Sequence, residues 1–447
     1  MPKEIARVAD IAPIIRGAIA LERNELAGTV KRQILCFRTG KAILDYVNGA
    51  ELARYATQGV VTPDHTIRTK NYPLIVPAPE AGKLDAWKKD VEEAVARYVA
   101  DYHAYFARNN ERAVPKKKEL DPLPRVILVP GVGLFGAGAT AKDAAIAADI
   151  AENTVEVITD AEATGTYKPI PEADMFDVEY WSLEQAKLGK SAEKVLARQV
   201  CVVTGGGSGI GAATARAMAA EGAEIALLDH DHDLAVKAAK AIHSRALAIQ
   251  CDVTDPEQVK AAFDKVVEAF GGVDIVVSNA GAAWQGRIGE VDGDVLRKSF
   301  ELNFFAHQLV AQAAVHVMRA QGTGGCLLFN TSKQAINPGK DFGPYGLPKA
   351  STLFLMKQYA LDYGKEGIRS NAVNADRIRS GLLTDEMVAS RAKSRGVSEA
   401  QYMSGNLLGR EVYASEVAEA FVYLAHAEKT TAGVITVDGG NIEASMR

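Results

Sequence analysis

From Val200 onward the chain alternates short apolar runs with helix-length segments, and that alternation leaves few folds open. Val200–Thr204, Glu224–Asp229, Ala246–Cys251, Val273–Ser278, Gly325–Asn330 and Ile368–Val373 are strand-length runs. Between them Ile210–Glu221, Asp233–His243, Pro256–Gly271 and Val295–Gln321 carry a helical pattern, and a further helix follows Tyr345. Strands that are apolar on both faces must be covered on both faces, so a mainly parallel sheet with helices on either side is expected. The expected class is α/β, a doubly wound parallel sheet, in which a ligand sits beyond the carboxyl ends of the strands.

The loop behind the first run reads Thr204-Gly205-Gly206-Gly207-Ser208-Gly209-Ile210-Gly211. Glycines at 205, 209 and 211 permit a tight turn and let backbone approach a pyrophosphate resting on the helix amino terminus, the Rossmann arrangement. The next run ends in Asp229. A carboxylate there accepts hydrogen bonds from an adenosine ribose and repels a 2'-phosphate, which favours NAD over NADP. Further on, Tyr345 and Lys349 are four residues apart and share a helix face, with Ser332 upstream. A phenol normally loses its proton near pH ~10, so an adjacent fixed positive charge is what lets it act as acid or base near neutrality. The pair alone says little; its place after the glycine turn points to hydride transfer at a nicotinamide.

These ordered motifs give residues ~195 to 447 a resemblance to the short-chain dehydrogenase/reductases. The resemblance implies that Gly205, Gly207, Ser208, Gly209 and Ile210 hold the cofactor's phosphates, and that Asp252 and Val253 meet the adenine. It also places Asn279, Ala280 and Gly281 against the cofactor. Within the implied catalytic set, Tyr345 is the general acid/base and Ser332 holds the substrate oxygen. Lys349 binds the nicotinamide ribose and lowers the tyrosine pKa, while Asn303 anchors a water in a proton relay. The chain departs from the family in Asn374-Ala375-Asp376-Arg377-Ile378-Arg379-Ser380. Ile378 and Ser380 are still expected to meet the nicotinamide amide, and Arg377 and Arg379 are candidates for holding an anionic substrate. Pro348 is expected in a first helical turn, where its missing N–H costs least.

A composition shift near residue 190 divides the chain into an expected accessory domain, 1–190, and an NAD-binding domain, 191–447. In the front part, residues 3–20 and Asp85–Asn109 look helical, Lys31–Phe37 and Arg125–Val129 strand-like. Gly131-Val132-Gly133-Leu134-Phe135-Gly136 is a literal G-x-G-x-x-G, but no second strand or acidic residue follows at the expected offset, so it does not read as a nucleotide site. Segments 59–70 and 176–184 resemble the region before the dehydrogenase in bifunctional class II aldolase/short-chain dehydrogenase proteins, without the aldolase head. Only His65 and His103 occur before residue 190, too few for a zinc site, so no metal is expected. His65 reads as a turn residue. Arg68, Lys70 and Lys116 to Lys118 read as solvated surface.

A net charge of -5 offers no footprint for nucleic acid, and no apolar run reaches membrane-spanning length. Four scattered cysteines read as free thiols. The expectation is a cytoplasmic NAD-dependent alcohol dehydrogenase, a homodimer or homotetramer, acting on a small secondary alcohol: a polyol, sugar derivative or hydroxy acid. Two rival readings stay open, a catalytically silent NAD-sensing scaffold and a residual aldolase-type lyase in the front domain.

Overall fold

The computed structural model describes residues 1–24, 29–187, 192–242, 246–379 and 383–441. It divides into two compact units, Met1–Glu193 with Val267–Gly272, and Lys194–Val266 with Val273–Arg447.

In the first unit β1 (Leu21–Asn24) and β2 (Thr29–Lys31) pair as an antiparallel ribbon. A second sheet holds β3 (Ile34–Arg38), β4 (Leu74–Ile75), β5 (Val126–Val129) and β6 (Gly133–Gly138) in the order β3-β6-β5-β4. The G-x-G-x-x-G is a β-hairpin: Val132 N–H donates to Val129 at the turn and β6 runs back antiparallel to β5. Its last glycine serves packing, because a Cβ at Gly136 would collide with the backbone of Ala144 and Ala148 in the helix Ala141–Thr164. That helix buries Ala148, Ala151, Val155 and Ile158 in a core with Val126, Leu128 and Leu134. Each of the larger aliphatic side chains contributes about 1.5–3 kcal/mol by leaving water. His65 lies in the short turn Pro63–His65, as its neighbours suggest.

Lys70 is not the surface residue expected. It is 7% exposed, and its Nζ lies 3.0 Å from the Tyr102 hydroxyl and 3.4 Å from Glu179 Oε1. Glu179, itself buried, also accepts from the Tyr102 and Tyr105 hydroxyls at 2.9 and 3.0 Å. Lys70 closes the helix Thr66–Thr69 with φ 64° and ψ 176°, a conformation that glycine adopts freely and other residues only under strain. A lysine is tolerated there because its ammonium completes a buried ionic cluster. Sequence spacing held no sign of this, since Glu179 is 109 residues away.

The second unit is built on a seven-stranded sheet of β7 (Val200–Thr204), β8 (Glu224–Asp229), β9 (Leu247–Gln250), β10 (Ile275–Ser278), β11 (Gly325–Ser332), β12 (Ile368–Ala375) and β13 (Val434–Val437). The order is β13-β12-β11-β10-β7-β8-β9, and every neighbouring pair is parallel. The chain builds outward from β7 to β9, then returns to lay β10 on the other side of β7. The carboxyl ends of β7 and β10 therefore flank the switch point, where this architecture opens a crevice. Val203, Leu227, Val277, Leu328 and Val373 are buried in its core with Phe421 of the helix Ala414–His426.

Two local expectations need correction. Val295–Gln321 is not one helix: Gly293–Phe300 gives way to a π-helical segment, Glu301–Phe305, before Ala306–Gln321 resumes. Pro348 lies in the second turn of the helix Gly343–Tyr363, not the first. Pro344 occupies the start of that helix, and Pro348 deprives the Pro344 carbonyl of its usual partner four residues on.

Candidate active site

The glycine loop and the ends of β10 and β11 are tied into one frame. Gly205 has φ 60°, and a Cβ at Gly211 would collide with the Gly205 carbonyl and lie 2.7 Å from Asn279 Nδ2, so the loop closes only without side chains at these points. Asn279 Nδ2 donates to the Thr204 and Gly205 carbonyls at 3.0 and 3.3 Å, and its Oδ1 accepts from Asn330 Nδ2 at 2.8 Å. The N–H groups of Asn279 and Ala280 both donate to Thr204 Oγ1, at 2.9 and 3.1 Å. Three strand ends are thus locked together by one asparagine and one threonine.

Asp229, at the end of β8, is 6% exposed and reaches back to the same loop: its Oδ2 accepts from Gly207 N at 2.9 Å. Oδ1 accepts from Asp231 N at 3.0 Å, with exposed His230 Nδ1 at 3.1 Å. Ser208 precedes the helix Gly209–Ala220 in extended conformation, without a side-chain capping bond, and Ile210 lies in the helix's first turn. Asp252, by contrast, folds on itself, accepting from Thr254 N and Oγ1 at 2.9 and 2.7 Å, while Val253 is buried.

On the other side of the crevice, Ser332 ends β11 and Tyr345 and Lys349 lie one turn apart on the helix Gly343–Tyr363. All three are buried, and the Lys349 ammonium is 5.8 Å from the centre of the Tyr345 ring. The Tyr345 phenol is pushed up to about 12: burial dominates, the adjacent Ser332 hydroxyl pulls it down, and the Asp376 carboxylate raises it. The depression expected from Lys349 is not among the effects acting on the phenol in this geometry. Burial also drives Lys349 down, to about 7. Its Nζ donates to the Asn330 carbonyl at 3.0 Å and lies 3.4 Å from His307 Nε2.

Asn303 sits in the π-helical segment, fully buried, with Nδ2 donating to the Ala282 carbonyl at 2.8 Å and to Ser299 Oγ at 3.1 Å. Its own carbonyl accepts from Thr352 Oγ1 at 2.6 Å. Gly281 lies against the site, since a Cβ there would come within 2.8 Å of Asn303 Oδ1 and 3.4 Å of Lys349 Nζ. The sequence reading missed His307, whose Nδ1 is 2.6 Å from Ser278 Oγ. One signal was available: His307 follows Asn303 by four residues, the spacing that carries side chains onto one helix face.

The arginines proposed for substrate are engaged within the protein. Arg377, at φ 53°, donates to the Tyr402 and Gly405 carbonyls at 2.7 and 3.0 Å and lies 3.5 Å from Asp376. Arg379 is held between Glu411 and Asp385 at 2.7 and 2.6 Å. Both pin the segment after β12 instead of presenting a free guanidinium. Ile378 between them is buried, and Ser380 lies outside the described residues. Among the described residues no group of three or more His, Cys, Asp or Glu side chains is placed to hold a metal ion. None of their helices is long and apolar enough to cross a membrane.

Two family models match: "Aldolase class II, second domain" over residues 6–188 and "Enoyl-(Acyl carrier protein) reductase" over residues 205–441. The uncharacterized oxidoreductase YuxG of Bacillus subtilis is 32% identical over 97% of this chain, which spans 63% of that relative's length. L-rhamnose 1-dehydrogenase (NAD(P)(+)) of a Sphingomonas species is 32% identical over 55% of this chain and 97% of its own. The (+)-borneol dehydrogenase 1 of Salvia officinalis is 33% identical over 56% and 96%. Among solved structures, 3-ketoacyl-(acyl-carrier-protein) reductase from Brucella melitensis complexed with NADH superposes with a TM-score of 0.51 at 26% identity, covering 55% of this chain and 99% of that one. Levodione reductase gives 0.51 at 27%, over 55% and 98%. With the glycine loop, the parallel sheet and these matches together, the chain belongs to the short-chain dehydrogenase/reductase family, an oxidoreductase whose dehydrogenase part follows an aldolase class II second domain.

Proposed function

We propose that the second unit interconverts a secondary alcohol and its carbonyl with NAD, and that Tyr345 moves the hydroxyl proton. The observation that carries the reading is a buried tyrosine beside a serine hydroxyl and a buried lysine, the lysine joined through Asn330 and Asn279 to a loop that only glycines can close. The cradle fits the cofactor, because the positions where side chains would intrude are glycines, Gly207 beside Asp229 and Gly281 beside Lys349 among them. Gly205, Gly207, Ser208, Gly209 and Ile210 would hold the phosphates, Asp229 the adenosine ribose, and Asp252 and Val253 the adenine. Asn279, Ala280 and Gly281, with Tyr345, Lys349 and Ile378, would surround the nicotinamide end. The bound cofactor would accept or supply the hydride.

The protein's part is proton handling and orientation. Ser332 would hold the substrate oxygen against the phenol. A phenol near 12 keeps its proton at neutral pH and is set as the acid for carbonyl reduction. Alcohol oxidation requires it to lose that proton, which Lys349 would favour in its charged form. Asn303 would brace the lysine side of the site through Ala282. The engaged arginines favour an uncharged alcohol, a polyol or sugar derivative, over an anionic one. Leu347, Phe354 and Leu361, 47%, 70% and 77% exposed and seven residues apart on one helix, support a homo-oligomer in which that stripe is covered.

The test is a screen of polyols, sugars and hydroxy acids with NAD and NADP in parallel, read as NADH or NADPH absorbance, and repeated with Tyr345→Phe. Turnover should fall by about 10²–10⁴-fold in the variant while NAD binding survives. Full turnover by Tyr345→Phe on a confirmed substrate would refute the mechanism.

A further inference from the structure

An ammonium carries three donors and no acceptor, so a buried lysine needs acceptors placed around it. Lys349 has one in the Asn330 carbonyl at 3.0 Å, and the other nearby protein group is His307 Nε2 at 3.4 Å. The other ring nitrogen, Nδ1, is 2.6 Å from Ser278 Oγ. His307 is 2% exposed, and burial together with the neighbouring Lys349 charge pushes it well below the ordinary histidine value, so the ring is neutral and carries one N–H. An ammonium has no lone pair to offer. It can bond Nε2 only if that nitrogen keeps its own lone pair, which puts the ring proton on Nδ1, donating to Ser278 Oγ.

The surroundings leave this assignment little competition. From β10 comes the neutral Ser278; from β11, the Phe329 ring, with centroids 6.2 Å apart, and Asn330. The helix Gly343–Tyr363 contributes Lys349. Among the described groups, Lys349 is the one charge acting on the ring.

We propose that His307 is a positioning residue for Lys349: a neutral imidazole, pinned as its Nδ1–H tautomer by Ser278, whose Nε2 accepts a hydrogen bond from the ammonium and favours its charged form without a counter-ion. With the Asn330 carbonyl, it fixes two of the three ammonium protons among the described residues. The third is left for whatever occupies the crevice beside Tyr345. A carboxylate in place of His307 would also hold the ammonium, but would neutralise the field that the phenol needs. A neutral acceptor holds the charge in place and leaves its field intact. The catalytic meaning of this arrangement rests on the dehydrogenase reading; the arrangement itself does not.

The experiment is an NMR pH titration of the intact protein labelled with ¹³C at lysine Cε, Lys349 being assigned by its loss in Lys349→Met. Wild-type Lys349 should titrate near 7. His307→Phe, which keeps the ring's bulk without the acceptor, should lower that midpoint by about one to two pH units. His307→Gln, which can present an amide oxygen near the Nε2 position, should restore it. An unchanged midpoint in His307→Phe, or one in His307→Gln as low as in the phenylalanine variant, overturns the proposal. Should His307→Phe not fold, Ser278→Ala tests the same bond without touching the ring, a smaller fall being expected and no change being fatal. Because the titration needs no turnover, failure to find an NAD-linked substrate would sink the proposed function and leave this result standing.

Discussion

Each unit of this protein buries a lysine, and the two are solved in opposite ways. Lys70 is met by the Glu179 carboxylate inside a ring of tyrosine hydroxyls, and its ammonium also lies 4.1 Å from the centre of the Tyr102 ring. Lys349 is met by a carbonyl and an imidazole, with no carboxylate in its hydrogen-bond shell among the described residues. Burial pulls both down, Lys70 to about 8 against the opposing pull of Glu179, and Lys349 to about 7 with no carboxylate opposing it. A charge that is paired and fully bonded is part of the architecture. A charge left without a counter-ion is costly to stability, and such sites concentrate where chemistry needs a field.

The comparison fails most visibly if Lys349 proves dispensable. Lys349→Met should cut turnover by about 10²–10⁴-fold with the fold intact, measured as kcat/KM on a substrate found in the NADH screen, if its charge acts on Tyr345 as proposed. Lys70→Met should instead leave turnover per folded molecule nearly unchanged and lower unfolding stability by about 3–5 kcal/mol, read by urea denaturation, since it strands Glu179 without its cation.

The two substitutions should also differ in the sign of their effect on stability, although both lysines are depressed and so share the same direction of pH dependence. The folded value of Lys349, near 7, lies below its ordinary 10.5, so the unfolded chain binds more protons between those limits and wild-type stability rises with pH across them. Lys349→Met should therefore be more stable than wild type by a few kcal/mol at and below pH 7, an advantage that shrinks to nothing by about pH 10.5. Thermal melts across that range decide it. The smallest effect is expected from replacing the whole first pair: Lys70→Met with Glu179→Leu should come within about 2 kcal/mol of wild type. A double variant as unstable as Lys70→Met alone would mean that the cluster does more than balance its own charge.

The sheet of the second unit was legible in the sequence because its strands are continuous apolar runs and its turn glycines are forced by close approach. Gly205, Asp229, Asn279, Ser332, Tyr345 and Lys349 lie at strand ends or on one helix face, where spacing fixes position. The Lys70–Glu179 pair was not legible, since long-range ionic partners leave no periodic trace. The G-x-G-x-x-G at 131–136 shows the converse, a motif whose glycines answer a hairpin and a helix contact. Arg377 and Arg379 looked like substrate ligands because side-chain type was known and partners were not: Glu411 and Asp385 lie 32 and 6 residues from Arg379.

The π-helical turn at Glu301–Phe305 has a consequence for the chain as an object that can be edited. Such a turn carries one residue more than an α-helical one, and one residue is about 100° of rotation. Gly293–Phe300 and Ala306–Gln321 are therefore out of phase with each other. Trimming one residue between them would make a continuous rod and swing one half relative to the other, so that Asn303 and His307 could not both keep their partners. A length change at this point is a change of aim, and a gap opened here when such chains are aligned marks a rotated helix, not a missing contact.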